Sequence, residues 1–289
     1  MPTKKPKAGV REPSYPEAFV NPFKLQYRQP KMLLIGVLNW IPALFMTILA
    51  SDFLSRYSFL GGQLAQAIQS SDSSAITEIF PIIADAFFEY VPALFLIGIL
   101  SLIMFGITLL AYTQIVIAAR RSKKPDSVEI SLGDSLGVAF SRLLSLISAY
   151  CWYVLAILGI IAALVLLIII GSLLGALGIL IAIIAGIGLI FALLIASIAG
   201  WLLEAVLIAE GKGGRASVQS AFSIAWKNKL RGTALIIVYF IIYMVLNQIV
   251  TQLNAIPIIG IPLSMVAGLP AFAWSAMVAA EFYFILREK

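Results

Sequence analysis

Two carboxylates lie at the edges of long uncharged stretches, and they are the residues best placed to do chemistry. Glu204 follows the neutral run 143–203, and Glu281 follows the neutral run 232–280. A carboxylate inside a bilayer is costly, and such residues often serve as proton or cation relays. The alternative is an ion pair near the membrane boundary, with Arg120, Arg121, Arg142 or Lys212 as the partner. We favour the ion pair, because a transport path usually has polar groups at the bilayer midplane.

A glycine-rich turn offers a second chemistry, the binding of a phosphate or a lipid headgroup. Its residues are Lys212, Gly213, Gly214 and Arg215, and Arg120 and Arg121 could add positive charge from another segment. Backbone amides at a helix start, together with cations, suit an anion. The alternative is a glycine that ends the preceding helix and begins a tight turn. We favour the turn, because the Gly-Lys-Ser/Thr pattern of phosphate-binding loops is absent.

The residue types most used for catalysis and metal binding are scarce. The chain has no histidine and one cysteine, Cys151, so a disulfide within the chain is excluded. Histidine is the side chain that titrates near neutral pH and the commonest metal ligand. No span carries a pair of Asp or Glu at helical spacing. We therefore predict no catalytic residue, no metal and no cofactor, and an intramembrane enzyme is the least favoured of our functional hypotheses.

The composition indicates an integral membrane protein that positions these groups on helices. Of 289 residues, 61% are hydrophobic and 12% are charged. A soluble domain is about half apolar and about a quarter charged. A spanning helix needs about 20 apolar residues, and the neutral runs provide six such segments. We predict an all-α protein with spans at about 32–51, 91–119, 143–170, 179–208, 233–252 and 263–286.

The positions of the charges test that count. Of the 20 Lys and Arg, all except Arg56 fall in segments 1–31, 120–142, 209–231 and the C-terminal tail, which lie on one side of a six-span protein. Because Lys and Arg are retained on the cytoplasmic side, both termini are expected in the cytoplasm and the protein in the cell membrane. The basic segment 1–31 precedes a single membrane domain, 32–289. That segment is expected to rest on lipid headgroups rather than bind nucleic acid.

The segments between the spans show helical periodicity. Apolar residues in the acidic outer segment 52–90 predict two short amphipathic helices, separated near Ser70–Ser74, that lie on the outer leaflet or cap the helix bundle; a ligand lid is the less favoured alternative. On the cytoplasmic side, amphipathic interfacial helices carry the pairs Ala18-Phe19, Ala139-Phe140 and Ala221-Phe222. These pairs indicate one unit used three times, or the chance similarity of amphipathic helices.

Two rows of small residues repeat at intervals of four. One row, in the fourth span, is Gly188, Ala192, Ala196 and Gly200; the other, in the sixth span, is Ala267, Ala271, Ser275 and Ala279. Small residues at this spacing let membrane helices approach closely. The rows therefore predict packing faces, either within one chain or between chains.

The stretch 210–231 resembles the signature of the glycerophosphodiester phosphodiesterase membrane-domain family. Glu210, Gly211 and Gly213 match its Glu-Gly and following glycine, whereas Ser217-Val218 and Ala221-Phe222 replace an Ala-Leu step and a Ser-Trp pair. The opening 21–31, with Asn21-Pro22-Phe23 and Gln29-Pro30-Lys31, also looks like the family's approach to its first span. The resemblance implies a membrane region that bacterial members join to a soluble phosphodiesterase barrel. The barrel's catalytic histidine and paired carboxylates have no counterpart here, so no hydrolase activity is expected.

The leading hypothesis is a non-enzymatic polytopic membrane protein. It would act as a scaffold or accessory subunit that contacts membrane lipids through its basic rim, with other membrane proteins or a second copy as further partners. The alternative is a small transporter or channel with Glu204 and Glu281 near its inner mouth.

Overall fold

The computed structural model describes residues 14–70, 73–122, 131–172, 176–253, 256 and 260–287. Within these ranges the chain forms eight α-helices and one 3-10 helix, and no strand. The α-helices are α1 (Tyr15–Arg28), α2 (Trp40–Gln69), α3 (Ser73–Arg121), α4 (Leu132–Ser172), α5 (Ala176–Glu210), α6 (Gly214–Lys227), α7 (Lys229–Leu253) and α8 (Gly260–Arg287), and the 3-10 helix is Pro30–Asn39.

Among the described residues, six helical segments are long and apolar enough to cross a membrane. They are Pro30–Gln69, Thr77–Arg121, Leu132–Gly171, Gly178–Glu210, Lys229–Leu253 and Leu263–Arg287. Each contains one of the six predicted spans. The prediction of an all-α membrane protein with six spanning helices is confirmed at this level of length and composition.

The outer segment 52–90 differs from the prediction of two separate short helices. It belongs to two long helices, because α2 continues to Gln69 and α3 begins at Ser73. Nothing between residues 52 and 69 stops a helix: there is no proline, and Gly61 and Gly62 lie inside α2. Pro81 and Pro92 are likewise accommodated inside α3, as prolines are in membrane helices. Part of the predicted serine-rich break, residues 71–72, lies outside the described residues.

The chain divides into two compact units. The larger unit comprises Met1–Gly36 and Ile107–Lys289, and the smaller unit comprises Val37–Gly106. In the larger unit, the second halves of α3, α5 and α8 supply most of the fully buried side chains. Examples are Ile107, Leu110, Tyr112, Ile115, Ile198, Leu202, Val206, Trp274, Phe282 and Tyr283.

Helix α1 packs against α8 in the larger unit, although it belongs to the predicted basic N-terminal segment. Trp274 donates its indole N–H to the Phe19 carbonyl at 2.9 Å, and Gln26 donates to the Pro270 carbonyl at 3.1 Å. Both acceptors are backbone carbonyls, and these two contacts hold α1 against α8.

The smaller unit is formed by α2 and the first part of α3. Most of its large apolar side chains are exposed, among them Phe45, Ile48, Phe59, Phe80, Phe87, Phe95 and Leu102. Side chains of this kind are stable against lipid tails and unfavourable in water. Such a surface is therefore typical of helices that contact the bilayer.

Candidate functional site

Glu281 forms a buried ion pair. It lies on α8, and its side chain is 2% exposed. Arg120, near the end of α3, donates from Nε at 2.9 Å and from Nη2 at 2.7 Å to the same carboxylate oxygen, Oε2. Asn21 of α1 also interacts with this carboxylate. The structure thus brings Glu281 together with one of the four cations considered from the sequence, and the pair joins α3 to α8.

Glu204 has a different environment. It lies on α5, is 7% exposed, and is flanked by fully buried neighbours from Leu202 to Leu207. The Tyr150 hydroxyl of α4 donates a hydrogen bond to Glu204 Oε1. In the part of the chain that the structure describes, no lysine or arginine nitrogen lies within 4.0 Å of its carboxylate. None of the four cations considered from the sequence reaches Glu204.

The C-terminal end of α5 is capped by arginine side chains. Gly211 has φ +63°, the left-handed conformation in which glycine commonly ends a helix. Arg121 donates to the Ala209 carbonyl at 2.7 Å, and Arg142 donates to the Gly211 carbonyl at 3.4 Å. The last carbonyls of a helix lack intrahelical donors and carry partial negative charge. The two arginines therefore satisfy this helix end from α3 and α4.

Glu210, the last residue of α5, is the centre of a polar cluster. Lys212 pairs with Glu210 at 2.5 Å, and Arg287 of α8 lies 3.6 Å from it. Ser220 of α6 donates to Glu210 at 2.9 Å, and Tyr283 of α8 donates at 3.2 Å. This side chain thus links three helices. In the sequence, Glu210 was considered only as part of the family signature; the signal for its contacts was its position two residues before Lys212, at the end of an apolar span.

The four residues of the predicted phosphate-binding turn do not converge on a single point. Lys212 is directed to Glu210, and Arg215 lies over the Trp152 ring, 5.2 Å from its centroid. Gly213 precedes α6 and is exposed. Gly214 is buried: a Cβ there would lie 2.5 Å from Ser148 Oγ and 2.7 Å from the Ala149 backbone nitrogen. Its lack of a side chain allows α6 to approach the backbone of α4.

Parts of the small-residue rows face other helices of the same chain. On α5, a Cβ at Gly200 would lie 2.7 Å from the Tyr153 hydroxyl, and one at Gly188 would lie 3.8 Å from Leu164. Tyr153 also donates to the Ala196 carbonyl at 2.8 Å. On α8, Ser275 shares a 2.6 Å hydrogen bond with Tyr239 of α7. The other members, Ala192, Ala267, Ala271 and Ala279, are partly exposed.

The smaller unit contains a polar cluster that the sequence reasoning missed. Arg56 donates to Asp52 at 3.1 Å and to Glu89 at 3.3 Å, so it bridges α2 and α3. Tyr57 donates to Glu89 at 2.6 Å, and Tyr90 donates to Asp52 at 2.5 Å. The sequence signal that could have indicated this cluster is the i, i+4 spacing of Asp52 and Arg56 in a segment with a single cation.

Comparisons with known proteins give no match: no protein-family model, no curated protein and no solved structure matches the chain. The family resemblance of the stretch 210–231 therefore stays a prediction. Any functional inference has to come from the arrangement of side chains described above.

Proposed function

We propose that this chain is a non-enzymatic polytopic membrane protein, a scaffold or accessory subunit that holds anionic lipid headgroups at its basic end. The basic end consists of the cations around the end of α5: Arg120, Arg121, Arg142, Lys212 and Arg287. Three of these cations pair with two carboxylates, Glu281 and Glu210, whereas Arg121 and Arg142 bond backbone carbonyls at the end of α5. This gathering of charge is the observation that carries the proposal.

The cations other than Arg120 keep donors that face outward. The side chains of Lys212 and Arg287 are 46% and 50% exposed, and Arg121 is also exposed. An arginine has five N–H donors, so one bond to a carbonyl leaves others free for a phosphate. Each basic residue near an anionic lipid surface contributes about 1 kcal/mol to attraction. The basic end is therefore suited to phosphate-bearing headgroups.

Two pairs of tryptophan and a cation support a position at the membrane boundary. Arg215 lies over Trp152, and Lys229 lies 5.1 Å from the centroid of the Trp226 ring. Both tryptophans are exposed, at 42% and 62%. Tryptophan is enriched at headgroup level, where its ring contacts acyl chains and its N–H contacts water, and a cation on the ring adds attraction.

The proposal includes the sidedness and the interfacial helices. We infer that the basic end and both termini face the cytoplasm at the cell membrane, following the retention of Lys and Arg on that side. Helices α1 and α6 and the start of α4 would then lie at the inner interface as three related units. Consistent with this, Ala18, Ala139 and Ala221 are all buried. Reporter fusions at the C terminus, active only in one compartment, test this orientation.

The test of headgroup binding uses purified protein in vesicles of phosphatidylcholine with a rising fraction of phosphatidylglycerol, followed by native mass spectrometry of retained lipid. We expect selective retention of phosphatidylglycerol. Removing two cations of the basic end in Arg121→Gln/Arg142→Gln should weaken retention by roughly 30-fold, since two charges contribute on the order of 2 kcal/mol.

The matched control is Arg56→Gln, which removes an exposed arginine of the smaller unit and should leave lipid retention unchanged. Equal retention of both lipids by the natural chain, or an unaltered double variant, would refute the proposal. A loss in the control variant equal to that in the double variant would show that position around α5 is irrelevant.

The alternative function, a small transporter or channel, is supported by Glu204 rather than by Glu281. Glu281 is neutralised by Arg120, and a carboxylate in a tight ion pair is a poor relay group. Glu204 has no such partner among the described residues.

A further inference from the structure

The larger unit buries two carboxylates on its spanning helices, and each has a different hydrogen-bond partner. Glu281 accepts two N–H bonds from Arg120, whereas Glu204 accepts a hydroxyl bond from Tyr150. Both side chains are nearly inaccessible, at 1% and 7% residue exposure. Burial is therefore matched, and the presence of a cation is the variable that separates the two sites.

Apart from Tyr150, the charged and titratable groups named here on the elements around α5 are engaged elsewhere. From α4, Tyr153 donates to the Ala196 carbonyl and Arg142 donates to the Gly211 carbonyl. From α8 and the turn after α5, Glu281, Arg287 and Lys212 have partners at the basic end. From α7, Tyr239 bonds Ser275, and Arg215 of α6 lies over Trp152. From α3, Arg120 and Arg121 bond Glu281 and the Ala209 carbonyl.

An ionised Glu204 would be a buried negative charge supported by neutral donors alone, the Tyr150 hydroxyl and its own backbone N–H. Leaving a buried charge without a counter-ion costs several kcal/mol, and in practice such a group becomes neutral instead. Protonation changes the carboxylate into a group with one O–H donor and remaining acceptor capacity. The acceptor oxygen continues to receive the Tyr150 hydroxyl, so the observed contact suits the neutral acid.

We propose that Glu204 and Tyr150 form a proton-binding site at the seam of α4 and α5, in which Glu204 is held as a neutral carboxylic acid. The ligand is a proton, and the site is distinct from the lipid-binding basic end. Intramembrane carboxyl groups in this state are typical of proton pathways in pumps and transporters.

The neighbouring contacts connect proton release to the packing of α4 on α5. Tyr153 packs over Gly200, and its hydroxyl bonds the Ala196 carbonyl, which holds the two helices together one to two turns from Glu204. Release of the proton would create a charge that needs water or a cation. Separation of α4 from α5 at this seam would admit either, so we expect the proton to leave only when the seam opens.

The experiment is infrared spectroscopy of the purified chain in lipid vesicles at neutral pH, with uniform ¹³C-glutamate labelling to identify glutamate bands. We expect a carbonyl band of a protonated glutamic acid, shifted by the ¹³C label, that is missing from Glu204→Gln. The band should persist in Glu281→Gln. A spectrum containing only ionised carboxylate bands at neutral pH would overturn the proposal.

A second variant keeps the test decisive if Glu204→Gln fails to fold. Tyr150→Phe retains the carboxyl group but removes its donor, so the protonated band should remain and move to higher frequency. A protonated band that is unaffected by Tyr150→Phe would assign the proton to another glutamate and reject the site. Because neither variant removes a cation of the basic end, lipid retention should be unchanged in both, and failure here is separable from failure of lipid binding.

Discussion

The larger and smaller units use the same residue types in opposite settings. In the larger unit, Arg120 and Glu281 form an ion pair with side-chain exposures of 15% and 2%. In the smaller unit, Arg56 contacts Asp52 and Glu89 with side-chain exposures of 55%, 41% and 53%. Both arginines bridge two helices, yet their removal should have very different consequences.

The difference is one of desolvation. A buried charge that loses its partner cannot recover hydration, whereas an exposed one returns to water or headgroups. The ion pair of the larger unit therefore holds α3 and α8 in one arrangement. The exposed cluster of the smaller unit adds little to stability. The comparison implies that a contact between oppositely charged residues has to be judged by its burial before it is given a structural role.

The largest effect is expected from Arg120→Gln. It leaves Glu281 buried without its cation, and breaking a buried pair in this way costs about 3–5 kcal/mol. Denaturation in mixed detergent micelles, followed by circular dichroism, measures the change in the free energy of unfolding. The double variant Arg120→Gln/Glu281→Gln should recover much of the loss. If Arg120→Gln alone is as stable as the natural chain, the buried ion pair contributes no more to stability than the exposed cluster does.

A smaller effect is expected from Gly214→Ala, because the added methyl group meets the backbone of α4 at 2.7 Å. Forcing an extra group into a close contact usually costs about 1–3 kcal/mol. The matched control is Gly98→Ala in α3 of the smaller unit, where a Cβ has no atom within 4 Å. That control should be neutral or slightly stabilising, since alanine favours helices. Equal effects at the two positions would contradict the close packing of α6 on α4.

The two buried carboxylates, Glu204 and Glu281, are expected to differ in how much their neutralisation lowers the free energy of unfolding. Glu204→Gln should cost less than about 1 kcal/mol, because the amide oxygen still accepts the Tyr150 hydroxyl and no buried cation loses its partner. Glu281→Gln leaves Arg120, whose side chain is 15% exposed, without its counter-charge and should be clearly more destabilising. The same unfolding measurement distinguishes them. A larger loss at position 204 would indicate that Glu204 is ionised and bound to a cation.

The smallest effect is expected from Arg56→Gln in the smaller unit. Its partners remain hydrated after the substitution, so the midpoint of unfolding should be unchanged within error. High salt should likewise leave the natural chain unaffected in this region, because exposed pairs are already weak. A fall in the midpoint comparable to that of Arg120→Gln would show that the cluster is protected from solvent in the bilayer.

The sequence was sufficient for the number of spanning helices and insufficient for the pairing of side chains. Neutral runs about 20 residues long leave little choice of element in a bilayer, so the six spans follow from composition. The partner of Glu281 required a choice among four cations, because residues 120 and 281 meet only after folding. The helices α2 and α3 extend beyond their predicted spans because apolar and amphipathic stretches continue without a stop signal.

In the candidate site, too, local features could be predicted from the sequence and the pairing of distant side chains could not. Gly211 as a helix terminator follows from local backbone preference, and the sequence favoured that interpretation of the turn. The role of Glu210 could not be inferred in the same way, since two of its partners, Tyr283 and Arg287, come from a helix that follows about 50 residues later. The sequence grouped Glu204 with Glu281 because both are glutamates near the end of an apolar span. The structure distinguishes them, because Glu281 pairs with Arg120 and Glu204 bonds Tyr150.

The sequence by itself determined that the chain is a helical membrane protein with its positive charge gathered in a few connecting segments. These properties depend on hydrophobicity and helical periodicity, which are local along the chain. Only the tertiary structure decided which carboxylate receives Arg120, which receives Tyr150, and which small residues meet another helix. The physical reason is that desolvation and pairing depend on which side chains come from distant segments, and a linear pattern of charges does not contain that information.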